Sequence, residues 1–346
     1  MNTIQNKTYI IAEAGSNWKI GTFDDDLKHA KLLIKSASES GADAVKFQTY
    51  KAETTYAKNA GNSKYLKNFG IHQDMDELFR YLSMPYTMLS ELASYSKQNN
   101  IDFMSTPFSV KDAQEIDPYV KCHKIASYEI NHIRLLEFLV NTGKPLIVST
   151  GASTYDEIDF TINFLKKNNV SDISLLQCTA SYPCDFNALN LSVIPTLKNR
   201  YGLPVGLSDH SIHPTIAPVL AVGYGATIIE KHFTLDKTLS GPDHKFALNV
   251  KELETMVNSI RSAENAMGSG LKDVLPEELE LKKFAKRSIQ ALKNISKGEI
   301  FHEGINFDIL RPGNNSQGLS PQFLKEVQGK KSIKNYNAGD GIMDFE

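Results

Sequence analysis

Short apolar runs that end in polar residues recur along the chain, at residues 8–12, 44–47, 101–104, 121–125, 145–148, 173–176, 204–207 and 227–230. Runs of this length and composition read as strands of a parallel sheet buried on both faces. Between them lie segments whose apolar residues fall three and four apart. Leu27, Ala30, Leu33, Ile34 and Ala37 mark one helix face. Ile158, Ile162 and Leu165 mark another, opened by Thr154 and Glu157 at capping-box spacing. Leu253, Met256, Val257, Ile260 and Ala263 mark a last one. Alternating strands and helices imply a parallel sheet, and eight repeats in about 270 residues match the size of a closed (β/α)8 TIM barrel. The rival is an open doubly wound sheet, which often carries a glycine-rich first turn. Ala14-Gly15-Ser16-Asn17 is no GxGxxG, so the pattern favours the barrel.

Residues 49–100 form a long insert between the second and third strands, in which only 85–98 reads as a regular helix. The stretch 56–76 is polar with scattered aromatics, and long inserted loops are often lids or binding loops. Gly268-Ser269-Gly270 closes the last helix pattern. The chain then divides into a barrel at 1–270, a charged linker at 271–286 and a β-rich tail at 287–346 with turn signals such as Arg311-Pro312-Gly313. A tail of about 60 residues is at the size where independent folding is marginal.

Composition narrows the partners. The 346 residues are 41% hydrophobic and 23% charged, an ordinary globular balance, with a net charge of −2. A nucleic-acid partner is not expected, because phosphate backbones demand a basic surface. Three cysteines, Cys122, Cys178 and Cys184, form no CxxC pair, which suits a reducing compartment. The N-terminal residues show no signal-peptide core and no apolar run approaches the roughly 20 residues of a membrane span, so a cytoplasmic location is expected.

The chemistry concentrates at the strand ends, where such barrels carry their active sites. Glu13 ends the first run, Lys46 and Gln48 the second, Ser105 and Thr106 the third. Lys124, Ser127 and Glu129 follow the fourth, Ser149 and Thr150 the fifth, Gln177, Cys178 and Thr179 the sixth. Ser208, Asp209 and His210 follow the seventh, Glu230, Lys231 and His232 the eighth. Eight such sets in eight strands are hard to explain as solvated surface. His210 and His232 end neighbouring strands and can address one point, as ligands of a Lewis-acid ion or as a hydrogen-bonded structural pair. Lys46 and Lys124 each finish an apolar strand and need anionic partners. They can line a pocket for a multiply charged anion with hydroxyls from Thr106, Ser127, Ser149 and Ser208, pair with Glu13 or Glu129, or form a Schiff base.

Ordered motifs on these strands resemble the sialic acid synthase family, the phosphoenolpyruvate-dependent nonulosonic acid synthases. They are Ala44-Val45-Lys46-Phe47-Gln48, Ser105-Thr106-Pro107-Phe108, Lys124-Ile125-Ala126-Ser127-Tyr128-Glu129, Ser149-Thr150-Gly151, Gly206-Leu207-Ser208-Asp209-His210, Glu230-Lys231-His232-Phe233-Thr234 and Gly241-Pro242-Asp243-His244. Arg311-Pro312-Gly313 and Gly318-Leu319 resemble the family's small antifreeze-like (SAF) domain, and Ala126-Ser127-Tyr128-Glu129-Ile130-Asn131-His132 looks closest to the spore-coat polysaccharide branch. The resemblance implies condensation of phosphoenolpyruvate with an N-acylated amino-sugar, N-acetylmannosamine or a 2,4-diacetamido-trideoxyhexose, with phosphate leaving by C–O cleavage. It implies Mn²⁺ or Mg²⁺ on His210 and His232, and phosphoenolpyruvate on Lys46, Thr106, Lys124, Ser127, Ser149 and Ser208. Glu13, Gln48, Glu129, Tyr182 and Asp243 would face the sugar, with Glu129, Lys46, Lys124 and Asp243 as the catalytic set. Arg311 would reach the sugar site of the other protomer in a domain-swapped homodimer.

Two positions depart from the family pattern. Trp18 stands where a histidine is usual, either stacking on a sugar or packing in the core. Ala180 stands where an asparagine often helps hold phosphoenolpyruvate, which keeps legionaminic-type products in view. The competing readings are a related synthase acting on another aldose and a non-catalytic sugar-binding barrel.

Overall fold

The computed structural model describes residues 7–63, 66–67 and 71–346. The N-terminal residues 1–6 and part of the 56–76 stretch lie outside the described residues. The chain divides into two compact units, Met1–Gly268 and Ser269–Glu346.

Eight strands build the first unit: β1 Tyr9–Gly15, β2 Ala44–Thr49, β3 Asp102–Pro107, β4 His123–Ile125, β5 Leu146–Ser149, β6 Ile173–Cys178, β7 Val205–Asp209 and β8 Ile228–His232. All their ladders are parallel, in the order β3-β2-β1-β8-β7-β6-β5-β4. The two ends of that order, β3 and β4, lie side by side, so the sheet forms a near-complete (β/α)8 barrel. Most strands run one or two residues further than their apolar core, into the polar residues that carry the chemistry.

Strand alternation sorts the residues. One set, Ile10, Ala12, Val45, Phe47, Phe103, Ile125, Val148, Leu175, Val205, Leu207 and Ile229, packs against the surrounding helices in the main core. The other set, Ile11, Ala44, Met104, Cys122, Ile147, Leu176 and Ile228, forms a separate apolar layer inside the barrel. Gly206 completes that layer on β7. A Cβ there would lie 2.3 Å from the Ile228 carbonyl oxygen, so no other residue fits.

Helices fall where the periodicity places them. Tyr155–Lys167 starts at the Thr154/Glu157 capping box, and Val250–Met267 starts at an Asn249/Glu252 box and stops at Gly268. The insert holds more helix than the sequence suggests. Besides Thr87–Gln98, Met75–Leu82 is helical, capped by Asp74, and buries Met75, Leu78 and Leu82 with Tyr50 and Leu66 in a small satellite core. Trp18 is fully buried in the main core, which assigns it to packing.

The second unit has its own core of Ile289, Ala291, Ile295, Phe301, Phe307, Val327, Tyr336 and Ile342 around an antiparallel pair, Ser288–Ala291 with Phe307–Leu310. Residues 271–286 are not featureless: a short helix, Leu279–Ala285, lies within them. Among the described residues no helix is long and apolar enough to cross a membrane.

Candidate active site

Two residues beyond each member of the apolar layer stands a polar or reactive side chain: Glu13, Lys46, Thr106, Lys124, Ser149, Cys178, Ser208 and Glu230. The period of two points each into the same lumen, one layer higher. The strand-end residues at the alternate positions face the helices and make structural bonds. Ser105 pairs with Thr49, Thr150 donates to the Leu176 carbonyl, Gln177 to the Leu189 carbonyl, and Lys231 to Asp209. The polar strand ends are therefore two populations, and only the inward one forms the site.

The lysines organise the inward layer. Lys46 Nζ lies 2.7 Å from Glu13 Oε2 and donates to Thr106 Oγ1 at 2.9 Å. Lys124 Nζ donates to Ser149 Oγ at 2.5 Å. Glu230 Oε1 lies 3.8 Å from Lys46 Nζ and 3.9 Å from Lys124 Nζ, and accepts from Ser208 Oγ at 3.2 Å. Glu230 is the residue that sequence reasoning left without a role. Its place two residues past Ile228 was a sufficient signal, but only once the register of the layer is known. Gln48 Nε2 donates to Glu13 Oε1 at 3.1 Å, and Ser127 Oγ accepts from the Gly151 amide at 2.9 Å.

Burial and charge act differently on each group. Burial raises the Glu13 carboxyl to about 7 against the pull of Lys46, with Glu230 pushing further. Burial likewise raises Glu129 to about 7, with Lys124 opposing, and Asp243 to about 6. Glu230 moves down, because Lys124 and Lys46 together outweigh its burial. Burial lowers Lys124, whereas Lys46 is raised because Glu13 and Glu230 outweigh its burial. The layer thus holds one firmly ionised carboxylate and two lysines, beside carboxyls poised to hold or release a proton near neutrality.

His210 and His232 stand at the rim, ring centroids 5.7 Å apart, with the Tyr182 ring tilted 4.1 Å from His210 and edge-on 6.3 Å from His232. His210 Nδ1 donates to the Thr179 carbonyl at 2.8 Å, which leaves Nε2 as the ring atom that could face a metal, and, against its burial, the Cys178 thiol and that carbonyl raise the imidazole. Burial, with His210 and nearby lysines, holds His232 well below its ordinary value, as a neutral imidazole. Its buried Nδ1 has no hydrogen-bond partner among the described residues, and Asp243 Oδ2 is 3.6 Å away. This donor set fits a divalent ion held by two imidazoles. Among the described residues no three protein donors gather at one point, so the remaining ligands must be substrate or water.

Asp243 arrives from the loop after β8 and packs over β1, where a Cβ on Gly15 would come within 3.1 Å of its Oδ2. Gly15 has φ +54 at a register irregularity, so the bulge that closes β1 also makes room for this carboxylate. Residues 13, 46, 48, 106, 124, 127, 149, 182, 208, 210, 232 and 243 thus belong to one mouth of the first unit, with Glu129 on the turn Ser127–Glu129 beside Lys124. Arg311 is exposed in the second unit. Ala180 lines a 570 Å³ cavity beside β5 and β6 with Thr150, Gln177, Asn190 and Cys178, the last a member of the inward layer.

The NeuB family model matches residues 33–272. This chain belongs to the NeuB family. It is 39% identical to N,N'-diacetyllegionaminic acid synthase of Campylobacter jejuni, over 98% of this chain and 99% of that one. It is 37% identical to the spore coat polysaccharide biosynthesis protein SpsE of Bacillus subtilis, over 98% and 95%. The crystal structure of N-acetylneuraminic acid synthetase from Leptospira borgpetersenii, solved with citrate, superposes with a TM-score of 0.72 at 34% identity, covering 82% of this chain and 94% of that one. This NeuB protein is therefore an enzyme, a synthase that condenses phosphoenolpyruvate with a sugar in nonulosonic acid synthesis.

Proposed function

We propose that this NeuB enzyme condenses phosphoenolpyruvate with an N-acylated amino-sugar, N-acetylmannosamine or a 2,4-diacetamido-trideoxyhexose, in a reaction that requires a divalent ion. The observation that carries this reading is the inward layer: two buried lysines and three hydroxyls around one ionised carboxylate. Lys46, Thr106, Lys124, Ser127, Ser149 and Ser208 hold phosphoenolpyruvate, whose negative charges meet both ammonium groups in a site shielded from water. Glu13, Gln48, Glu129, Tyr182 and Asp243 hold the sugar at the mouth.

Mn²⁺ or Mg²⁺ between His210 and His232 would supply Lewis-acid activation of the aldehyde oxygen. The protein then has three tasks. Lys46 and Lys124 fix phosphoenolpyruvate so that its C3 faces the aldehyde carbon, and the new C–C bond forms between these atoms. Asp243, poised near 6, delivers a proton towards the new alkoxide oxygen. Glu129 takes a proton from the water that adds at C2, and C–O cleavage then releases inorganic phosphate and leaves the 2-keto acid. One aldehyde, one phosphoenolpyruvate and one water are consumed, so the balance closes.

The wider assembly belongs to the same reading. The second unit is an SAF domain, and Arg311 serves the partner protomer's sugar site in a homodimer. The relative that makes N,N'-diacetyllegionaminic acid and the Ala180 departure favour a diacetamido acceptor. Phosphate release with each acceptor, before and after chelation, together with mass spectrometry of the product, tests the proposal. Turnover that survives chelation removes the metal, and no turnover with any N-acylated amino-sugar removes the acceptor class.

A further inference from the structure

Asp243 sits on a loop, yet its carboxylate is placed against two strands. The backbone of the loop is tied at its far end: the Asp243 carbonyl accepts from the Ala247 amide at 3.1 Å, Leu248 N donates to the His232 carbonyl at 2.8 Å, and Thr234 N donates to the Leu248 carbonyl at 2.8 Å. The near end depends on His244. This imidazole is 1% exposed, and its Nδ1 lies 2.8 Å from Thr234 Oγ1.

The other bonds of the hydroxyl bear on the direction of that bond. Thr234 Oγ1 has one proton, which it donates to the Asp236 carbonyl at 3.2 Å, and it accepts from the Asp236 amide at 3.2 Å. With the hydroxyl proton on the carbonyl, the remaining lone pair accepts from His244 Nδ1–H, the direction that the NMR experiment below tests. Burial first, and the nearby His29 second, hold the imidazole down at about 4, which keeps the ring neutral. The other edge of the ring closes on the start of the loop. Gly241 has φ +155, and a Cβ there would lie 2.8 Å from His244 Cδ2. His244 thus ties the residues on either side of Asp243 to the segment that follows β8, the strand ending in His232.

We propose that His244 is a positioning residue, which acts through Thr234 to hold the Asp243 carboxylate at the sugar end of the site. This rests on the assignment of Asp243 under the proposed function. Among the described residues the phosphoenolpyruvate end shares no hydrogen bond with His244 or Thr234, so breaking the clamp is expected to act mainly on the sugar.

The experiment compares His244→Leu and Thr234→Val with the conservative His244→Asn and Thr234→Ser, all in the full chain. His244→Leu and Thr234→Val are expected to lower kcat by about 10- to 100-fold and raise the acceptor KM, with the phosphoenolpyruvate KM within about 2-fold of wild type. His244→Asn and Thr234→Ser recover most of the loss. The double variant His244→Leu/Thr234→Val is no worse than the poorer single variant, because both remove one bond. Equal damage to both KM values, or full additivity, overturns the proposal. A second readout does not depend on turnover: 15N NMR of selectively labelled histidine, with His244 identified by its substitution. The expected pattern is a protonated Nδ1 and a bare Nε2 from pH 5 to 9, lost in Thr234→Val. An Nε2–H tautomer, or a ring indifferent to Thr234→Val, overturns the inference even where no acceptor is turned over. A wild-type enzyme inactive with every N-acylated amino-sugar while His244 keeps this tautomer overturns the proposed acceptor class instead.

Discussion

Glu129 and Glu13 are held near pH 7 by burial, and this makes the site's acid–base behaviour readable. The donor Asp243 must be protonated and the base Glu129 ionised, so kcat/KM should be a bell with its maximum between about 6 and 7, falling as Asp243 loses its proton and rising as Glu129 ionises. Glu129→Gln should lower kcat by about 100-fold or more and lose the rising limb while phosphoenolpyruvate KM changes little, and a full pH–rate profile of both proteins checks this. Wild-type activity in the variant sinks the assignment. Stability follows the opposite direction. Both folded-state values lie above those of the unfolded chain, so the contribution is complete below about 4.5 and is lost as pH rises through about 7. Urea unfolding of the substrate-free enzyme between pH 4.5 and 8 should show that loss, reduced in Glu13→Gln. Glu230 behaves as the fixed counter-charge. Glu230→Gln should cost roughly 3 kcal/mol without ligand, and phosphoenolpyruvate should raise the variant's Tm more than the wild type's, since its negative charges replace the missing carboxylate. Equal ligand-induced shifts argue against that role. These roles were unequally legible beforehand. Lys46, Lys124 and the histidines announce themselves, because such residues rarely end apolar strands without a task. Glu230 does not, because its partners lie 184 and 106 residues earlier in the chain and meet it only after the barrel closes.

The strands were legible as elements because their apolar cores are short and bounded. Their ends were not, since the last one or two residues of most are polar, and ladder bonds rather than hydrophobicity keep them extended. The helix Met75–Leu82 was missed for a related reason. Its apolar face meets only a small satellite core, so its spacing is brief and surrounded by charge. The floor of the barrel is the element whose failure should be most costly. Ile147→Ala should destabilise by about 2–5 kcal/mol, and Gly206→Ala by about 3 kcal/mol through the clash with the Ile228 carbonyl. Denaturant titration distinguishes these from surface changes, and a cost near zero at Gly206 contradicts the close approach described above.

At the scale of the whole molecule the two units have separate cores, and the chain from Ala266 to Asp273 is exposed. Trypsin should therefore cut first after Lys272, giving two protected fragments that mass spectrometry can identify. Early cleavage within β1–β8 instead contradicts two compact units. Composition could not reveal this division directly. The glycines at 268 and 270 could, but the helix Leu279–Ala285 blurred where the second unit begins.

The two-residue step from floor to site layer also limits how such a chain can change in length. Adding one residue to a strand between Ile147 and Ser149, or between Ile228 and Glu230, would turn the functional side chain outward into the helices. Adding two would restore its direction but lift it by about 6.6 Å, beyond reach of its partners. Length changes are therefore tolerable in the connections, such as the long stretch between β2 and β3, and not between a floor residue and the site residue two positions on.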